Sequence, residues 1–388
     1  MSKTETLNIL VGAGFSFNAG LPLGNDVKAK FDRPLRDTII KAGSSEWMWV
    51  EGQSEAMVHN GRLGGDHLEY AFILEEIVRA YKLANGNNFN DYEDFYQYVK
   101  DNTPIEGWYE RIIVTASQRF YSETHLTDRS SEYYGFAFRN PERYRPQEII
   151  NYLIADMLGI KVSEEELIIN YEPFIRYIRQ YKFVNIFSLN HDRVFEFLFK
   201  LFGIDFNDGF SATNSNLQHE KKSLPIFQNE FEATNVRLIK MHGSIDMYLF
   251  EHGDEIGATM TRNGGYTYFK PGSYHAKHYA IRIDPATNQT VQSINFDIIP
   301  KFITGKKKKA FIGADYMYSK MYKMYQEQIS SGNDLLIAGY SFRDAHMNEE
   351  LLKFTKTEGA KIVNLNHGDK YPFVAPSITE INQFTELK

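Results

Sequence analysis

The chain contains no cysteine, which excludes disulfides, thiol nucleophiles and Cys-ligated zinc, and fits a reducing compartment. It also lacks an excess of positive charge. Its 43 Lys and Arg stand against 50 Asp and Glu, a formal net charge of -7, so no global field is available to hold nucleic acid. No stretch approaches the roughly 20 apolar residues of a membrane helix. The opening MSKTETLNILVGAG has neither the apolar run nor the cleavage site of a signal peptide. Internal repeats and low-complexity linkers are absent. The expectation is a soluble cytoplasmic protein whose 388 residues, 43% hydrophobic, suffice for about two average domains.

Several short apolar runs each end where glycine or polar residues begin, as buried parallel strands do. They are Leu7 to Val11, Phe183 to Leu189, Val236 to Met241, Asp334 to Ala338 and Lys361 to Leu365. Between the first two, helical periodicity dominates at 68–83, 92–99, 147–158 and 171–181, too long an interval for a loop. Residues 251–293, rich in Gly, Thr and Tyr, read as hairpins, and helical patterns return at 315–330 and 344–355. The expected fold class is therefore α/β. A discontinuous Rossmann-like parallel sheet is formed by 1–34 and 179–388, with a large helical insertion over 35–178 and a smaller β excursion.

The chemistry-bearing residues come directly after the strands. Gly12-Ala13-Gly14-Phe15-Ser16 can approach a diphosphate closely, and a helix after it would offer free N–H groups; a tight turn without a ligand is the simpler alternative. The third glycine of the dinucleotide fingerprint falls at Phe17. Ser188-Leu189-Asn190-His191-Asp192 ends the second strand, where open α/β sheets bind ligands, although Asn and Asp there also cap helices. Met241-His242-Gly243-Ser244 supplies a histidine, structural in many such places but suited to moving protons near neutral pH. Gly339-Tyr340-Ser341-Phe342-Arg343-Asp344 offers backbone donors and a hydroxyl, with Asp344 a candidate helix cap, and Asn364-Leu365-Asn366 closes the series. Together they point to a nucleotide site on one sheet edge.

In this order GAGFSxxAGLP, LNxD, HGS and GYSFxDxH resemble the sirtuin-like NAD-binding domains of bacterial defence proteins. The likeness is carried by the strand-end segments, not by the insertion or the β excursion. It implies a fold of the sirtuin type with NAD bound as substrate. Gly12, Ala13, Gly14, Phe15 and Ser16 would meet the diphosphate, and Asn190 and Asp192 the nicotinamide and its ribose. Gly243 and Ser244 would also be cofactor-binding; Gly339, Tyr340 and Ser341 would serve the phosphate or adenosine ribose, and Asn366 the adenosine side. Asn190 and His242 would be catalytic.

Departures from deacetylase sirtuins are equally informative. Without cysteine there is no four-cysteine zinc module, the glutamine expected before the key Asn is Leu189, and a Phe-Arg pair is replaced by Leu23-Gly24. The resemblance therefore implies water as acceptor: an NAD glycohydrolase that needs no metal and depletes cellular NAD in antiphage defence. It further implies a homo-oligomer and a HerA-like hexameric ATPase partner. ADP-ribosyl transfer and a non-catalytic NAD- or ADP-ribose-sensing scaffold remain the alternatives.

Three other features have simpler readings. Lys306 to Lys309 reads as a solvated turn before a strand, with nucleic-acid contact the alternative. His275 and His278 have metal-ligand spacing on a helix, but their surroundings read as β. Tyr92, Phe95 and Tyr96 read as core at helical spacing, and Trp47, Trp49, Phe95 and Tyr96 either fill the insertion's own core or belong to a contact surface between sirtuin-like domains or with the ATPase.

Overall fold

The computed structural model describes every residue except 1–3, 43–45, 51–65, 125–135, 141–144, 160–161, 229–230, 232–233, 257–258, 272–278, 296–299, 332–333, 358, 360, 369, 376 and 388. The chain divides into two compact units, one of residues 1–23, 158–303 and 308–388, the other of 24–157 and 304–307.

The first unit is built on a six-stranded, all-parallel sheet: β1 (Thr4–Val11), β2 (Tyr181–Ser188), β3 (Val236–Lys240), β4 (Asp334–Ala338), β5 (Ile362–Leu365) and β6 (Ile378–Ile381). Its order is β6-β5-β4-β1-β2-β3, so the chain winds outward from β1 to β3 and then restarts on the other side at β4. This is the Rossmann order, with its switch point between β1 and β4.

Both faces of the sheet are covered, which explains why its central strands read as nearly continuous apolar runs. Leu7, Ile9 and Val11 enter one core, under α1 (Glu164–Ile178) and α2 (Val194–Phe202). Leu10, Phe187, Ile239 and Ile337 enter the other, under α3 (Tyr316–Ser330) and α4 (Ala345–Phe354). Asn8 and Asn185 interrupt the pattern in mid-sheet. Asn185 donates to Asn8 Oδ1 at 3.0 Å and to Gln328 Oε1 at 3.1 Å, while Asn8 donates to the Gln328 carbonyl at 3.0 Å, so α3 satisfies the polar step.

α1, which the sequence assigned to the insertion, belongs to the unit of the parallel sheet. It starts at a Ser163–Glu166 capping box, earlier than the periodicity indicated, and places Tyr171, Phe174 and Ile175 in the sheet's core. The β excursion consists of the hairpins Tyr248–Ile256 with Thr259–Phe269 and Tyr279–Ile283 with Thr290–Asn295. Short strands between Phe210 and Phe227 extend both into four-stranded sheets.

The second unit is mainly helical, with helices at Asp66–Ala84, Tyr92–Asn102, Trp108–Thr124 and Pro146–Met157 and a hairpin of Ile39–Ala42 and Glu46–Trp49. Trp47, Trp49, Phe95 and Tyr96 are buried within it, and Trp49 donates its indole N–H to the Leu153 carbonyl at 2.8 Å. Among the described residues no helix is long and apolar enough to cross a membrane.

Lys308 opens a helix, Lys308–Ala314, where the sequence pattern suggested a turn before a strand. The lysines are ion-paired, Lys306 with Asp94, Lys307 with Asp101, Lys308 with Asp344 and Lys309 with Glu349. His275 and His278 lie outside the described residues.

Candidate functional site

All the chemistry-bearing segments leave the carboxyl ends of parallel strands, and those after β1 and β4 flank the switch point. The loops of these two strands lie backbone against backbone. Gly12 N donates to the Ala338 carbonyl at 3.0 Å and Gly14 N to the Gly339 carbonyl at 3.0 Å. A Cβ on Gly12 would stand 2.6 Å from the Gly339 oxygen, and one on Gly339 2.0 Å from the Phe15 nitrogen, with φ of +62° at Gly339. Glycine is thus required for the crossing itself.

The segment after Gly12 differs from the expected helix with free amides. It is a single turn, Ala13–Ser16, succeeded by a 3-10 turn, Phe17–Ala19. Gly14 N is committed to Gly339, and Phe15 N donates to the Gly12 carbonyl at 3.0 Å.

Beside this crossing lies a buried polar network. Asn190 Nδ2 donates to the Gly12 carbonyl and to Ser16 Oγ, both at 2.9 Å, and Ser16 Oγ donates to Asp192 Oδ2 at 2.7 Å. Asp192 Oδ1 accepts from Val194 N at 3.0 Å, but the N-cap position of α2 is Arg193 and carries no side-chain cap. The Lys240 ammonium donates to the Asp192 carbonyl. The segments after β1 and β2 are therefore locked together by Asn190, Ser16 and Asp192.

The other predicted residues divide by environment. Ala13 and Ser341 are exposed, whereas Phe15 stacks on Phe195 at 4.6 Å inside the core. Tyr340 donates to the Asp344 carbonyl and to Asn348, so its side chain holds the start of α4. Gly243, at φ +82°, sits against Tyr318 Oη, and Ser244 is fully buried and donates to the His191 carbonyl at 3.2 Å. Asn366, two strands from β1, donates to Asn364 Oδ1 at 2.6 Å.

His242 lies just beyond β3 and is 1% exposed. It shares a hydrogen bond with the Leu189 backbone, and its Nε2 has no partner. Burial, and then the nearby charge of Lys308 and the neighbouring rings of His191 and His346, hold it well below the ordinary histidine range. This direction favours the uncharged imidazole, and its Nε2 is buried. His191 lies 6.3 Å away, centroid to centroid, and is pushed down to about 3, chiefly by burial.

Close to His242 lie Asp344, which the sequence reads as a helix cap, and His346, to which it gives no role of its own. Ligand atoms of His242, Asp344 and His346 lie within 4.8 Å of one another. The signal is present as the D-x-H of GYSFxDxH, but the approach of the loop after β3 cannot be read from it. No family model and no curated protein matches the chain.

Proposed function

We propose that this chain is a sirtuin-like NAD hydrolase that cleaves NAD to nicotinamide and ADP-ribose. The observation that carries the proposal is the Asn190–Ser16–Asp192 network beside the switch point of a Rossmann-ordered sheet, with the buried His242 at the carboxyl end of β3 on the same side of that sheet. Nucleotides bind at such crevices.

The chemistry asks little of the protein. Nicotinamide departs neutral from a cationic N-glycosidic bond, taking the bonding pair, and the sugar becomes oxocarbenium-like. Water adds at the anomeric carbon and gives up a proton to His242 Nε2, with Asn190 orienting the ribose or that water. General-base assistance of this kind is worth about 10² to 10⁴ in rate.

The same reading makes the protein a cytoplasmic antiphage effector, active as a homo-oligomer and controlled by a HerA-like hexameric ATPase, since NAD depletion must be restrained until infection. Trp47, Trp49, Phe95 and Tyr96 are spent on their own unit's core, so other residues would form any such contact. Light scattering over a concentration series, alone and with the product of the neighbouring gene, tests the assembly; a monomer hydrolysing NAD at full rate would remove it.

One observation favours the sensing alternative: Asn190 spends its amide nitrogen on Gly12 and Ser16, as a purely structural clamp would. Incubation with NAD separates the outcomes. Hydrolysis gives free nicotinamide and free ADP-ribose, transfer leaves ADP-ribose on an acceptor, and a sensor binds NAD without releasing nicotinamide.

A further inference from the structure

We infer that His242, His346 and Asp344 form a binding site for a divalent transition-metal ion of the zinc class, and that its occupancy blocks the site described above. The donors come from two separate segments, the loop after β3 and the start of α4, and converge to within 4.8 Å of one another. A metal bound at the usual length of about 2.1 Å needs tetrahedral donors roughly 3.4 Å apart. The present cradle is therefore open by an amount that side-chain rotation can close.

Two independent features mark it as more than a chance cluster. The Nε2 atoms of His242 and His346 are both buried without a hydrogen-bond partner, where buried polar groups are normally satisfied. Asp344 is the N-cap residue of α4, yet its side chain makes no capping hydrogen bond. Its carboxylate instead accepts from Lys308 Nζ at 3.0 Å. Two imidazoles and a carboxylate select zinc, iron or manganese over calcium or magnesium, which prefer oxygen alone.

Lys308 sets the strength of the site. Its ammonium already balances Asp344 and opposes an incoming dication, so binding is reversible, weaker than in a structural zinc site. Occupancy would take the Nε2 lone pair of His242. This inhibitory consequence rests on the NAD-hydrolase reading; the binding itself does not, and is measured without NAD.

The experiment is equilibrium dialysis of the full chain against Zn2+, with Co2+ absorption as the coordination signature and circular dichroism as the check on folding. The expected result is one equivalent bound by the wild type and affinity lowered about tenfold or more in His346→Ala and in Asp344→Asn. Lys308→Gln should bind more tightly than wild type, which provides a test even if a ligand variant fails to fold. Absence of stoichiometric binding to the folded wild type would overturn the proposal, as would binding unchanged in folded ligand variants or weakened in Lys308→Gln. If the site holds and the chain hydrolyses NAD, Zn2+ inhibits the wild type and chelation restores it. Stoichiometric metal binding by a chain that releases no nicotinamide even after chelation would leave this site standing and remove the hydrolase reading.

Discussion

At the scale of single residues, the glycines of the sheet edge are explained by contact before any ligand is invoked. Gly339 and Gly203 share a φ of +62°, but a Cβ on Gly203 meets nothing within 4 Å, whereas one on Gly339 would collide with the loop after β1. Gly203→Ala should therefore cost only about 1 kcal/mol, the ordinary penalty of a left-handed helix end. Gly339→Ala adds the collision to a strain of about 1–3 kcal/mol and should cost clearly more, read as the difference in urea midpoints. Equal losses would mean that the crossing of the two loops is not as tight as described. Gly12 and Gly339 were legible in the sequence as functional glycines, but not the reason for them. Each is fixed by the other across a sequence separation that periodicity cannot see.

At the scale of elements, β1 to β5 were legible because strands buried on both faces are mostly apolar, and each stops abruptly at glycine or polar residues. β6 was not, because only Ile381 of its four residues is buried and it pairs on one side only. The helix Trp108–Thr124 was hidden because its buried face is confined to Ile112, Ile113, Ala116 and Phe120 among charged neighbours. Packing between elements also depends on a residue without a motif of its own. Asp315 Oδ1 caps α3 by accepting from Met317 N and Tyr318 N, while Oδ2 accepts from the hydroxyls of Tyr266 and Tyr268 in the β excursion. Asp315→Ala should cost about 3 kcal/mol, the lost cap adding to a buried tyrosine hydroxyl left unpaired. Asp315→Asn should retain most of the stability. Thermal melts of both variants test this, and equal losses would mean that charge, rather than hydrogen bonding, ties α3 to the excursion.

At the scale of the whole molecule, the 25 tyrosines give the fold an alkaline limit. Burial raises Tyr171, Tyr318, Tyr325 and Tyr340 above the ordinary tyrosine range, and burial with the nearby Asp315 pushes Tyr266 up to about 12. A folded-state pKa raised above the unfolded value of about 10 means stability fully present below pH 10 and lost as pH rises beyond it. Absorbance of tyrosinate and far-ultraviolet circular dichroism measured together should show the buried tyrosines ionising only as the secondary structure is lost. Their ionisation in an intact fold would contradict the packing of both cores.

The site itself was legible to the extent that its residues lie next to strands. Asn190, Asp192 and Ser16 are hydrogen-bonded to one another, and His242 lies on the same edge; the partnership of His242 with His346 and Asp344 required the fold. The central claim is that Asn190 and His242 cleave NAD. Its most direct test is nicotinamide release from NAD by the wild type, Asn190→Ala and His242→Ala, each with the neighbouring gene product and with circular dichroism on the same preparations. The account predicts release by the wild type and a fall of about 10² or more in both folded variants. Turnover near the wild-type rate in either variant, or a folded wild type that releases no nicotinamide, would contradict it.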